Sequence, residues 1–451
     1  MDENYFNLPT IEEIQEMVEH GRLAELRALL TGIHPADIAD LMDQLPGDTA
    51  VTVFNLLEIE AASEVLDETG SLIRQELVEK VDDEHLADLL DALPMDDAAE
   101  FLEDLPDDVS DRLLDLMEPE EAQEVRELLA YDENTAGRLM TTDVVALRRH
   151  WTIAETFRFL RSLEEPDMLQ YLYVVDQEDR FIGIAPLRSL ILAQPEQTVE
   201  NIMQVDVVSV PVTADQEELA EMVARYDYFA MPVVDKDGRL LGVVTIDDVL
   251  DIVEEEVTED IQRLGGSAPL DQPYFALSTF QLVRKRLFWL LLLFAASSVT
   301  DAIVSGFNDL LLAVATLAIF MPVVSGTAGN AGSQTVTTII RAMAIGELRF
   351  GDLWRALRRE FAVGLIMGIL LGAFGYLRAY IFNVGPGVSL VLALTLPLVV
   401  IWSTVVATIV PILAEKFKID PTVVSAPMIT TIVDASGLLI YFSLAIWILH
   451  L

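Results

Sequence analysis

The chain has 451 residues and no cysteine, which excludes disulfide scaffolds, thiol catalysis and Cys-ligated zinc. It carries 28 Lys+Arg against 74 Asp+Glu, a net charge of −46, yet 52% of its residues are hydrophobic. That balance lacks the basic footprint of a nucleic-acid binder, so no nucleic-acid partner is expected.

The charge is unevenly spread. After Leu270 stand 11 Lys+Arg and 9 Asp+Glu; the other 17 basic and 65 acidic residues precede it. The chain therefore reads as an acidic soluble half joined to a nearly neutral, apolar half. Nothing at Met1 resembles a signal peptide, so the acidic half is expected in the cytoplasm.

Residues 9–130 read as short helices. Leu45-Pro46, Leu93-Pro94 before Asp96-Asp97, Leu105-Pro106 before Asp107-Asp108 and Glu118-Pro119 before Glu120 each mark a helix start. Leu and Ala recur between them at helical spacing, as in Leu86, Leu89, Leu90 and Leu93. A small α-superhelical domain is the expectation.

A duplication follows. Met140-Thr141-Thr142-Asp143-Val144-Val145 matches Met203-Gln204-Val205-Asp206-Val207-Val208, and the run from Val174 to Gly183 matches that from Val233 to Gly242. Each copy reads as strand, amphipathic helix, hairpin with an Asp/Gly-rich turn, and helix. This resembles a tandem CBS pair (a Bateman module). Such pairs often bind adenosine nucleotides. The second copy has Thr245 and Asp248 at the Thr-x-x-Asp spacing, where the first has Pro186 and Ser189. The carboxylates of residues 235–256 leave metal binding open for Asp248 as well as ribose binding. Residues 254–264 read as an acidic helix ending at Gly265-Gly266.

The apolar half offers five candidate spans, at 287–306, 310–338, 361–382, 388–413 and 422–450, each near the ~20 residues a bilayer core needs. Arg284 to Arg286, Arg341 to Arg359, and Lys416 with Lys418 lie in alternate loops, which the positive-inside rule assigns to the cytoplasm. Five spans then leave the C-terminus outside. Asp434 lies within the fifth span, where an ionised carboxylate costs about 2.5–3.5 kcal/mol. It is either packed against a polar neighbour or a cation site facing a wet pore. The run Gly326 to Thr335, with Gly326, Gly329 and Gly332 beside Asn330, is either a helix-packing seam or a pore lining of neutral oxygens. Mg²⁺ gives up its water reluctantly, and one carboxylate among such oxygens suits its hydrated form.

This order of parts, with GTAGNAGSQT at 326–335 and IVDASGLLIY at 432–441, resembles the MgtE family of bacterial magnesium channels over nearly the whole chain. The resemblance implies a multidomain α + α/β membrane protein: an acidic helical N domain (1–135), a tandem CBS domain (136–252, copies about 138–200 and 201–252), a connecting or plug helix (253–283) and a five-helix transmembrane domain (284–451). It implies a homodimer in the lipid of the bacterial inner membrane. Its function would be Mg²⁺ influx, shut off by intracellular Mg²⁺, with ATP as a modulator. Carried over by position, Asp434 and Asn330 belong to the pore, and Asp420 to a regulatory site at the start of the fifth span. Glu64, Asp96 and Glu100 match regulatory Mg²⁺ ligands on the helical domain; Glu217, Ala224 (through its carbonyl), Asp227, Asp248 and Asp251 match those on the second CBS copy; Glu256, Glu259 and Asp260 match those on the plug helix. Arg188, Tyr228 and Asp248 stand where ATP is contacted. The competing readings are a CBS-regulated transporter of Co²⁺ or Mn²⁺, or of an anion. Without a P-loop or His-Glu-x-x-His motif, no enzyme is expected.

Overall fold

The computed structural model of the chain describes residues 8–163, 171–270, 274 and 277–451. The chain divides into two compact units between Glu256 and Val257.

The first unit opens with short helices: α1 (Ile11–Glu19), α2 (Leu23–Leu30), α3 (Pro35–Asp43), α4 (Gly47–Phe54), α5 (Ile59–Glu68), α6 (Ser71–Lys80), α7 (Asp83–Leu90), α8 (Met95–Glu103), α9 (Asp107–Leu114) and α10 (Pro119–Leu128). Proline sets their starts. Pro46, Pro94 and Pro106 are N-caps, and Pro35 and Pro119 are first helical residues. Helices this short are marginal alone and are held by packing. Most of the packing is between a helix and the next but one, α3 on α5, α4 on α6, α5 on α7, α7 on α9 and α8 on α10, while α1 lies on α2. Phe54 and Phe101 are each 1% exposed in the shared core, burial worth about 2–3 kcal/mol apiece.

The duplicated segments form two three-stranded sheets. β1 (Ala146–Arg148) pairs parallel with β2 (Tyr171–Val175), which pairs antiparallel with β3 (Phe181–Pro186). β4 (Val210–Pro211), β5 (Ala230–Val234) and β6 (Leu240–Thr245) repeat the order. The copies agree down to the turn: Asp176 Oδ1 accepts from the N–H groups of Glu178 and Arg180, and Asp235 Oδ1 from those of Asp237 and Arg239. Helices α11 (Ile153–Leu160) and α12 (Leu187–Leu192) complete the first copy, and α13 (Gln216–Tyr226) belongs to the second.

The last helix of the second copy, α14 (Ile246–Leu264), runs on through residue 252 and becomes the acidic connecting segment. No Gly or Pro interrupts it before Gly265, so nothing in the backbone separates the two.

The second unit holds α15 (Thr279–Gly306), α16 (Asn308–Ala313), α17 (Thr316–Ala344), α18 (Leu353–Ile381), α19 (Pro386–Lys416) and α20 (Ala426–Leu449). Among the described residues, α15, α18 with its preceding turn, α19 and α20 are long and apolar enough to cross a membrane. The second expected span is split: the chain leaves helical geometry at Val314, and α17, 29 residues long, contains the Gly/Ser/Asn run. The fifth begins later than expected. Pro421–Val423 is a short 3₁₀ turn and α20 starts at Ala426, so Asp434 lies about 12 Å along the helix.

The α18–α19 seam is built from glycine. A Cβ on Gly368 would fall 2.7 Å from Pro397 Cα, and one on Gly372 2.6 Å from the Ala393 carbonyl oxygen. The two backbones approach as only small residues permit.

Candidate cation sites

Among the described residues, a tight gathering of carboxylates lies in the first unit. Asp96 and Asp97, at the start of α8, meet Asp248 on the first turn of α14, one oxygen from each lying within 4.8 Å of the others. Thr245 fixes Asp248, donating from Oγ1 at 2.5 Å and from its N–H at 3.2 Å to Oδ2. The Thr-x-x-Asp spacing is thus an N-terminal helix clasp that turns the carboxylate toward α8.

Three carboxylates at this distance repel. Burial, then the charge of Asp248, pushes the Asp96 carboxyl up to about 7. Burial and the charges of Asp67, Asp96 and Asp248 push Asp97 up to about 9. Asp248 and Asp67 are also raised, chiefly by burial. Asp96 is 9% exposed, and its Oδ1 is buried with no hydrogen-bond partner among the described residues. An all-oxygen set of crowded carboxylates with an orphaned acceptor fits a hard divalent cation, whose charge would reverse the cost of ionising them.

The other expected ligands of this unit are more dispersed. Glu64 on α5, Glu100 on α8, Asp251 on α14, and Glu217, Ala224 and Asp227 at α13 are exposed. Asp227 ends α13 in the left-handed conformation, φ 54°. Glu256 reaches α13 by accepting from Gln216 Nε2 at 2.7 Å. Arg188 is exposed on α12, and the Tyr228 hydroxyl, half-buried, accepts from Val208 N–H at 3.3 Å.

In the second unit Asp434 on α20 faces α17. A Cβ on Gly329 would lie 3.3 Å from Thr430 Cγ2 and 3.7 Å from Asp434 Oδ1, and that oxygen is buried without a hydrogen-bond partner among the described residues. The α17 glycines have separate surroundings. Gly326 opens onto free space, Gly329 meets Asp434, and Gly332 packs on Ser403 and Ile429. Ser403 Oγ donates to the Ala328 carbonyl at 2.6 Å, anchoring this stretch to α19. Asn330 is exposed. Asp420 accepts from Arg263 and Thr422; Glu259 pairs with Arg263, and Asp260 is half-buried two turns below Ile252.

Sequence reasoning missed Asp97, Asp67 and Arg263. Asp97 was visible only as an acidic helix start, and its partners are remote in the chain. Arg263 carried a usable signal: it is the lone basic residue of α14.

A bundle of apolar helices around a half-buried carboxylate, in one chain with a CBS pair, points to a membrane transporter. A profile of the MgtE family, described as divalent cation transporter, matches residues 321–444. The MgtE intracellular N domain matches 33–134, and CBS domains match 136–196 and 199–255. The chain is 40% identical over 436 residues to the magnesium transporter MgtE of Thermus thermophilus, covering 96% of this chain and 97% of that one. It is 31% identical to the magnesium transporter MgtE of Bacillus subtilis, over 96% of each. It also resembles the crystal structure of the cytosolic domain of the Mg²⁺ channel MgtE in complex with ATP, with TM-score 0.51 and 39% identity over 54% of this chain and 99% of that one. The soluble part of a magnesium transporter matches with TM-score 0.50 and 29% identity, over 55% and 97%. The chain belongs to the MgtE family, a family of transporters and not of enzymes.

Proposed function

We propose that this chain carries Mg²⁺ into the cell through a membrane pathway at Asp434 and is closed by intracellular Mg²⁺ on its acidic half. The observation that carries the transport reading is the Asp434 carboxylate, half-buried in the apolar bundle beside Gly329, with one oxygen that has no hydrogen-bond partner among the described residues. Both relatives of full length are magnesium transporters. Inside-negative potential favours entry of a divalent ion by about 4.6 kcal/mol per 100 mV.

The Asp96–Asp97–Asp248 cluster supports the sensor reading, because its mutual repulsion is relieved by a cation. Glu64, Glu100, Glu217, Ala224, Asp227, Asp251, Glu256, Glu259, Asp260 and Asp420 extend the sensor as weaker sites. Moving a gate from 1:99 to 99:1 takes about 5.5 kcal/mol of differential binding, or roughly 1 kcal/mol from each of six sites. The working unit is a homodimer, with the N and CBS domains in the cytoplasm and the C-terminus outside. ATP at Arg188 and Tyr228 tunes the response, as the ATP-bound relative suggests. Transport of Co²⁺ or Mn²⁺ is the second reading, favoured by the broader description of the family as divalent cation transporters.

The deciding experiment is bilayer current from the purified chain with Mg²⁺ as the only permeant cation. Mg²⁺ on the soluble-domain side is stepped from near zero to ~10 mM, bracketing weak carboxylate affinities. Current that shuts off as Mg²⁺ rises is the expected result. No cation current at any level overturns the reading.

A further inference from the structure

The end of the connecting helix carries an ion pair that a cation sensor does not require. Arg263 Nη1 donates to Asp420 Oδ2 at 2.6 Å, and Nη2 pairs with Glu259 one helical turn earlier. Glu259 and Asp420 are both carboxylates assigned above to regulatory cation binding, so a guanidinium stands between them. All three side chains are about one-third exposed.

The surroundings hold this arrangement in place from both sides. Thr422 donates to Asp420 from its N–H at 2.8 Å and from Oγ1 at 2.7 Å, fixing the carboxylate at the start of the Pro421–Val423 turn. On the other side Leu264 packs against the bundle core. Gly266, at φ +73°, closes the helix where a Cβ would lie 3.2 Å from Pro427 Cγ. The backbone at Arg263 is thus held beside Asp420 by contacts additional to the guanidinium pairs.

We propose that Arg263 is a built-in competitor for the cation position between Glu259 and Asp420, and that it sets the Mg²⁺ level at which the pathway closes. The inference rests on the sensor reading above. A divalent ion between the same two carboxylates carries twice the charge of the guanidinium, and partly exposed Arg–carboxylate pairs are weak. Displacement is thus available to the ion, and the long Arg stem can carry the displaced head into water. While Arg263 is present, each ion must first break its pairs, which raises the concentration needed. A mere tether would behave in the opposite sense: removing it would loosen the helix and demand more Mg²⁺.

The test uses the full chain in lipid nanodiscs. Hydrogen exchange of residues 246–264 is followed as Mg²⁺ is titrated, for wild type, Arg263→Gln and Arg263→Lys. Arg263→Gln is expected to reach half-protection at about three- to tenfold lower Mg²⁺, equivalent to about 0.7–1.4 kcal/mol. Arg263→Lys, which keeps the charge but loses the fork, should fall between the two. A midpoint unchanged or moved to higher Mg²⁺ in Arg263→Gln overturns the proposal while leaving the sensor standing. Should Arg263→Gln fail to fold, Arg263→Lys decides, and a midpoint at or above wild type overturns it. Protection in wild type that ignores Mg²⁺ removes the sensor reading and this inference with it.

Discussion

Asp434 and Gly329 face each other between α20 and α17, so close that a methyl group on the glycine would sit 3.7 Å from the carboxylate oxygen. Leaving that side chain out keeps the carboxylate beside bare backbone. The pairing gives two substitutions with different expected effects. Asp434→Asn removes the charge at little steric cost, and Mg²⁺ uptake into proteoliposomes should fall at least about tenfold, the equivalent of ~1.4 kcal/mol. Gly329→Val crowds Thr430 and Asp434 and should reduce uptake while also lowering thermal stability. Uptake by Asp434→Asn equal to wild type would remove this residue from the pathway.

The carboxylate cluster gives a pH dependence of definite sign. Asp248, Asp96 and Asp97 rise from an ordinary 3.8 to about 6, 7 and 9. Between those limits the folded chain holds more protons than the unfolded one, so its stability falls as pH rises. In EDTA the melting temperature should drop between pH 5 and pH 8. Saturating Mg²⁺ should flatten the slope by ligating the ionised forms. A slope of the same size with and without Mg²⁺ would count against a cation at this cluster.

Asp97 separates the cluster seen in the structure from the set expected from sequence. Asp97→Asn relieves repulsion, so the ion-free chain should melt at the same or a higher temperature. Its stabilisation by Mg²⁺ should shrink. Calorimetry with and without Mg²⁺ reads both. Asp248→Asn with Asp251→Asn should weaken Mg²⁺-dependent closure further, in a graded way; an unaltered Mg²⁺ dependence of gating would end the distributed-sensor account.

Arg138, whose side chain is 7% exposed, donates to Glu103 Oε2 from Nε at 2.8 Å and from Nη2 at 2.5 Å. Glu103→Ala strands a buried guanidinium, a loss of about 3 kcal/mol. Chemical denaturation should show it as an earlier midpoint.

At the membrane seam, Gly368→Val drives a branched side chain into the Pro397 backbone. Overpacking of this kind costs about 1–3 kcal/mol. A lower yield of monodisperse chain and a lower melting temperature are expected, with Gly326→Ala, which meets open space, as the silent control.

Much of this architecture was legible because it depends on local chemistry. Prolines followed by acids mark the starts of α4, α8, α9 and α10, and the duplication around Val174 and Val233 predicts two matching hairpins. Asp434 stands out because lipid makes a carboxylate costly. What escaped depends on pairings distant in sequence. Asp97 meets Asp248 across some 150 positions, and Arg263 meets Asp420 across 157. The glycine run of α17 stands out in the sequence, yet the closest backbone approach of the second unit is at Gly368 and Gly372 on α18, whose spacing is hidden in a uniformly apolar stretch. The fifth span began late because Pro421 opens a separate turn before α20.

The α18–α19 seam has a mechanical meaning. Where Gly368 and Gly372 bring one backbone onto another, no rotamer remains to hop and no side chain can slide. These two helices are expected to behave as a stator. α15 lies at the other extreme, with no residue buried in the bundle. On the pathway proposed at Asp434, opening is expected to be taken up by the helices outside the seam, turning against this pair.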